Sequence, residues 1–271
     1  MSISTDLAAA VCHLSQQDYY FRENLLRPED ILLASFPRSG SHFVRFIILS
    51  ARHLVTHGSL PLDYSLMTDI PDIHSCDVHR ARGVPRIIKT HFPYDSRYKH
   101  VIHLIRDPRD VAVSYYHYVR KTPALLFQSQ TKNLKLPQFI RFFVNGEVWP
   151  LRWDSHTLSY IESASETDYI RIYYEALLNN PAREISRLLD FIDVDLGKAD
   201  LAQLVDHVSF DRMKSLHEPE SALHGRVFTD SNIIFRKGKV GRYRQTLKEP
   251  MIRQIEDKFE KAMTACRYSK V

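Results

Sequence analysis

The chain has 271 residues, 44% of them hydrophobic and 25% charged, with 37 Lys and Arg against 32 Asp and Glu. That is the make-up of an ordinary globular chain, one large domain or at most two small ones, and it excludes a low-complexity chain. No apolar run approaches the ~20 residues needed to cross a bilayer, because even FVRFIIL carries Arg45. The first residues lack the basic segment and long apolar stretch of a secretory signal. Cys12, Cys76 and Cys266 are odd in number and lack metal-ligand spacing, so they read as reduced thiols in a cytoplasmic protein.

In chain order, Ile31–Ser35 (ILLAS) reads as a buried strand and residues 41–53 as the helix after it. Residues 86–89 (RIIK) and 101–105 (VIHLI) are further strands. Asp107 then reads as an N-cap with Pro108 at the first helical position. Asp168–Tyr173 is a fourth strand, and apolar Ile185, Leu188, Leu189 and Ile192 have helical spacing within residues 181–192. Strands separated by helices imply an α/β domain spanning residues 1–271, with a central, mainly parallel sheet flanked by helices. Ligands of such sheets bind beyond the carboxyl ends of the strands, so the turns there carry the information.

The first such turn is Phe36-Pro37-Arg38-Ser39-Gly40-Ser41-His42-Phe43. A glycine at a strand–turn–helix bend lets backbone N–H groups converge on an anion at a helix N-terminus. Arg38 adds a forked cation suited to phosphate or sulfate oxygens. The loop is P-loop-like in style, but the GxxxxGK[ST] pattern is absent, and Ser41 stands where a nucleotide kinase has Lys. The second turn runs from Arg106 to Ser114, which lies two helical turns beyond Asp107. Two readings of it stand: Arg106 and Ser114 hold one phosphate together, or Arg106 pairs with Asp110 while Ser114 faces the core.

Together these segments resemble the PAPS-dependent cytosolic sulfotransferases, where PAPS is 3′-phosphoadenosine-5′-phosphosulfate. Arg27-Pro28-Glu29-Asp30 with ILLASFPRSGSHF is similar to that family's 5′-phosphosulfate loop, Pro85 to Pro93 (PRIIKTHFP) to its catalytic strand, and RDPRDVAVSYYHY to its 3′-phosphate segment. Gly146-x-Val148 with Trp153-x-x-His156, Tyr174-Glu175-Ala176-Leu177, Ser209-Phe210 with Met213, and Arg236-Lys237-Gly238 with Gly241 follow in the family's order. The resemblance implies the sulfotransferase fold and transfer of a sulfuryl group from PAPS, with PAP as product and no metal, to a hydroxyl or amine of a small molecule. Donor contacts fall on Arg38, Ser39, Gly40, Ser41, His42, Phe43, Arg106, Ser114, Tyr174, Ser209, Phe210, Met213, Arg236, Lys237 and Gly238. The departures are Arg38 for Lys, Ser41-His42 for paired Thr, and Phe43 for Trp.

Chemically, the acceptor needs a base, and His91 has an unperturbed pKa of ~6.5 near working pH. Lys89 lies two residues away, on the same face of an extended strand, and supplies a cation at the transferring group. Arg38 neutralises the leaving phosphate. Tyr118, His156, Phe92 and Tyr20 are the candidate acceptor contacts, with core packing an equal reading for Tyr118 and His156 and the preferred one for Tyr20. Residues 122–150 are expected to include a lid. A small-molecule kinase and a non-catalytic PAPS or PAP binder are the alternatives. Nucleic acid is not expected as a partner, since the basic residues sit at turns rather than along one stripe, and a membrane is not expected, since no apolar run is long enough to cross one. A homodimer remains open, because the family's dimer segment is not recognisable around Arg244-Gln245-Thr246-Leu247.

Overall fold

A computed structural model describes residues 26–73, 78–121, 134–215 and 240–271. Four strands, β1 (Ile31–Ser35), β2 (Ile87–Thr90), β3 (His100–Ile105) and β4 (Asp168–Tyr173), form one sheet in the order β2-β1-β3-β4. Every pairing is parallel, with Leu33 opposite Lys89 on one side and Ile102 on the other. All five residues of β1 are buried. Ile31 and Leu33 enter one hydrophobic cluster, Leu32 and Ala34 another. A strand covered on both faces shows no polar alternation, which is why ILLAS reads as a continuous apolar run.

Helix α1 (Ser41–His57) follows β1 and covers the face carrying Leu33. It runs four residues past the sequence-based end at 53. Gly58, at φ 68°, stops it by donating its N–H to the Leu54 carbonyl at 2.8 Å, the left-handed cap that glycine adopts without strain. Helix α2 (Pro108–Lys121) follows β3, with Asp107 accepting the Arg109 N–H at 2.9 Å as its N-cap. Helices α3 (Leu136–Asn145) and α4 (Trp153–Glu162) precede β4, and α5 (Tyr174–Asn179) and α6 (Pro181–Phe191) follow it.

Of the segment expected to include a lid, residues 134–150 are described. In α3, Phe139, Ile140, Phe143 and Val144 are buried against Phe36, Tyr115 and Phe259 in a cluster of their own. An amphipathic helix that buries four large side chains is core. Residues 122–133 lie outside the described residues.

The strand order positions the site. From β1 the chain goes through α1 to β2 on one side, whereas β3 lies on the other side and passes on to β4. The carboxyl ends of β1 and β3 therefore diverge at a topological switch point, the place where open parallel sheets bind ligands. Both turns singled out from sequence start there.

Candidate active site

The first turn is built around two left-handed residues, Arg38 at φ 69° and Gly40 at φ 105°. They reverse the chain so that Ser41 opens α1 and its first N–H groups face outward without intrahelical partners. Gly40 is required twice over. Its φ is unfavourable for an L side chain, and a Cβ there would lie 2.5 Å from Cδ2 of Tyr174. The Arg38 guanidinium reaches across to α2, where Nε lies 3.4 Å from Ser114 Oγ and the group stacks 4.5 Å over the Tyr118 ring.

The second turn locks onto the first. Arg106 donates to the Arg38 carbonyl at 3.1 Å and lies 4.3 Å over the Tyr174 ring. Of the two readings left open for Arg106, the ion pair with Asp110 is not made among the described residues. Asp110 instead accepts the N–H groups of Gly241 (2.7 Å) and Tyr243 (2.9 Å). It thereby fixes the chain just after residues 236–238, which lie outside the described residues. Glu175 accepts the Asp107 N–H at 2.9 Å, and burial pushes its carboxyl upward from the usual range.

Two buried polar atoms test whether an anion fits here. Ser39 Oγ and Arg106 Nε are shielded from solvent with no protein hydrogen-bond partner. Such groups are rare unless a ligand or water takes the bond. One hydroxyl, two guanidinium groups and a helix N-terminus suit the phosphates of PAPS.

At the edge of this cradle, β2 ends at Thr90 and His91 turns toward β1. Its Nδ1 lies 2.5 Å from the Ser35 carbonyl oxygen. A carbonyl can only accept, so the proton sits on Nδ1 and Nε2 is the basic nitrogen. The ring meets Trp149 edge-on at 5.6 Å, and the residue is 8% exposed. Lys89 is 3% exposed and forms an ion pair with Asp72.

The model of the sulfotransferase domain matches residues 28–267. This chain belongs to the sulfotransferase family. It is 26% identical over 264 residues to sulfotransferase 1E1 of Rattus norvegicus, covering 89% of this chain and 85% of that protein. It is 28% identical over 267 residues to sulfotransferase 1B1 of Mus musculus, covering 88% and 83%. Among solved structures, mouse sulfotransferase SULT7A1 complexed with PAP superposes with a TM-score of 0.69 at 24% identity, covering 90% of each chain. Retinol dehydratase complexed with retinol and PAP gives 0.68 at 22%, covering 90% of this chain and 86% of that one. These likenesses are ones of fold. They agree with a single parallel sheet between helices.

The other expected contacts of the sulfotransferase divide by burial. Tyr174 and Met213 are buried, and Met213 packs in the cluster under α1. Phe43 is half-buried and meets the Tyr174 ring edge-on at 6.4 Å. Ser209 is half-buried where the chain enters α7 (Phe210–Ser215). Phe92 and His156 are both 0% exposed. The Phe92 carbonyl accepts the Tyr160 hydroxyl at 2.9 Å, and the His156 ring packs 5.8 Å from Phe36 and 5.3 Å from Tyr160. Both are enclosed by these neighbours, while Tyr118 is half-buried under Arg38. Tyr20 lies outside the described residues, as do Arg236, Lys237 and Gly238.

His42, at the second position of α1, has an imidazole held well below the ordinary histidine range. Burial is the main cause, followed by the charges of Arg45, Lys89 and Arg38. It is neutral at working pH. Arg45, 2% exposed, donates to the Met67 carbonyl, and burial lowers its pKa to about 10. Sequence reasoning missed Asp72, Trp149 and Glu175 as parts of the site. Glu175 had a signal, since it adjoins Tyr174 in a recognised motif. Arg45 had one as the lone charge in FVRFIIL. Asp72 had none, because it reaches the site by backbone pairing alone.

Proposed function

We propose that this sulfotransferase moves the sulfuryl group of PAPS in line to a hydroxyl or amine of a small-molecule acceptor, without a metal and with His91 as general base. Bound PAPS supplies an activated sulfuryl group with a phosphate as its leaving group. The observation that carries the reading is the hydrogen bond between His91 Nδ1 and the Ser35 carbonyl. It presents Nε2 as proton acceptor at the carboxyl end of β1, one residue before the anion-binding turn begins. Acceptor deprotonation at that nitrogen is general base catalysis, worth ~10²–10⁴ in rate.

Charge on the leaving phosphate falls to Arg38 and the N–H groups that open α1, and Lys89 serves the transferring group. Arg106 and Ser114, with Arg236, Lys237 and Gly238, hold the 3′-phosphate. The Phe43 ring beside Tyr174 offers a stacking face for adenine. No described helix is long and apolar enough to cross a membrane. A cytoplasmic setting is part of this proposal; Cys266 is a buried thiol whose pKa burial raises to about 12. The kinase alternative does not survive the family match.

The test supplies radiolabelled PAPS with a panel of phenols, alcohols and amines. The wild-type chain yields labelled product with at least one acceptor, and His91→Ala lowers kcat at least ~100-fold while PAP still binds. Product formation by His91→Ala at the wild-type rate would remove His91 as base. PAP binding with no product from any acceptor would favour the non-catalytic binder.

A further inference from the structure

Lys89 is the cation expected at the transferring sulfuryl group, yet its charge is already balanced by Asp72. This contact is built into the backbone. After a 3₁₀ turn at Ser65–Asp69, the chain lays Asp72 beside β2 as an isolated parallel bridge to Lys89, and the Lys89 N–H donates to the Pro71 carbonyl at 2.9 Å. Asp72 also bears on the two other basic groups behind the anion turn. Its charge acts on Arg45 and on the His42 imidazole, opposing the effect of burial on each. One carboxylate thus stands against two cations, Lys89 of β2 and Arg45 of α1, beside the neutral His42 imidazole, at the end of the sheet where the donor phosphates bind. The pair is unequal in freedom: the Lys89 side chain is 4% exposed and that of Asp72 is 20% exposed.

Resting on the PAPS reading above, we infer that Asp72 is a positioning residue that serves as internal counter-ion of the donor site. It holds Lys89 in place without donor and gives up that charge to the phosphosulfate when donor binds. A buried cluster of cations with no anion is costly to fold, and a carboxylate on the exposed side relieves that cost. The same carboxylate opposes any anionic ligand, so it weakens nucleotide binding and favours release of the product nucleotide. A purely structural ion pair, tying residues 65–72 to the sheet, has no such effect on anion affinity.

The two roles separate in a calorimetric titration of the full chain with PAP. Asp72→Asn keeps the shape and removes the charge, and the expected result is PAP binding at least about fivefold tighter. Asp72→Glu restores binding to the wild-type value. Unchanged or weaker binding in folded Asp72→Asn overturns the inference. If Asp72→Asn does not fold, Lys89→Met and Asp72→Asn/Lys89→Met are compared. Removing both partners leaves no unpaired buried charge, and the double variant binds PAP at least about fivefold tighter than Lys89→Met alone. Equal affinities overturn the inference. Wild type that fails to bind PAP overturns the donor reading as well, whereas wild-type binding without the expected tightening overturns only the role of Asp72.

Discussion

Gly40→Ala places a methyl group where the fold leaves no room. The residue sits at φ 105°, and the new Cβ would lie 2.5 Å from Cδ2 and 2.8 Å from Cε2 of Tyr174. The backbone alone costs on the order of 1–2 kcal/mol for an L residue. The Tyr174 ring cannot move freely, because it is 8% exposed and lies under the Arg106 guanidinium at 4.3 Å. Displacing it forfeits that contact and crowds the core, adding roughly 1–3 kcal/mol. The total of about 2–5 kcal/mol is divided between stability and donor binding, because the turn can relieve its strain only by losing the shape that receives the phosphate. Thermal melts and PAP titrations measure the two shares, at about 2 °C of Tm per kcal/mol for a domain of this size. Gly58→Ala is the control, with φ 68° but no atom within 4 Å of the added Cβ. It lowers Tm by about 2 °C and leaves PAP affinity unchanged. The reasoning is refuted if Gly40→Ala matches Gly58→Ala in both measurements.

Arg106→Ala is expected to weaken PAP at least about 30-fold, the value of a charge-assisted phosphate contact, while AMP, which lacks the 3′-phosphate, changes less than about threefold. An equal loss for both nucleotides would mean that Arg106 acts only by bracing Arg38 and Tyr174. A third prediction concerns pH. His42 and His103 are held neutral in the folded chain, burial being the first cause for both, with Arg45 next for His42 and His156 next for His103. The unfolded chain takes up protons on these rings below pH ~6.5 and the native chain does not, so stability falls as pH drops through that value. Each group contributes about 1.4 kcal/mol per pH unit. Melts between pH 7.5 and 5.5 should show this slope, and His103→Gln, which keeps a polar partner for the Tyr169 hydroxyl 2.7 Å away, should make it shallower. An unchanged slope would exclude His103 as a contributor.

Much of the fold was legible because its signals are local. Apolar runs marked β1 and β4 with the bounds observed, while β2 lies one residue later than expected and β3 begins one residue earlier. Asp107-Pro108 marked the start of α2, since a cap and a proline need nothing beyond their neighbours. The first turn was legible for the same reason: its left-handed backbone at Gly40 favours glycine, whatever surrounds it. Helix α1 outran its apolar pattern, because only the Gly58 cap ends it. Helix α3 became core once Phe139 and Phe143 met Phe36 and Phe259, residues distant in sequence.

The sequence by itself determined the parallel α/β class, the glycine-bearing strand–turn–helix after β1 and the closeness of Lys89 and His91 on one short segment. These rest on residue type and on spacings of a few positions. Tertiary structure alone decided what each charge does. Arg106 could have met Asp110 four residues away but bonds to the Arg38 carbonyl, while Asp110 is taken by two N–H groups more than a hundred residues on. His91 received its tautomer from a carbonyl on a neighbouring strand, and Lys89 its counter-charge from a segment that β2 captures by backbone pairing. An ion pair or a tautomer depends on distances of a few ångströms between segments that the order of residues leaves far apart, and only the packed sheet sets those distances.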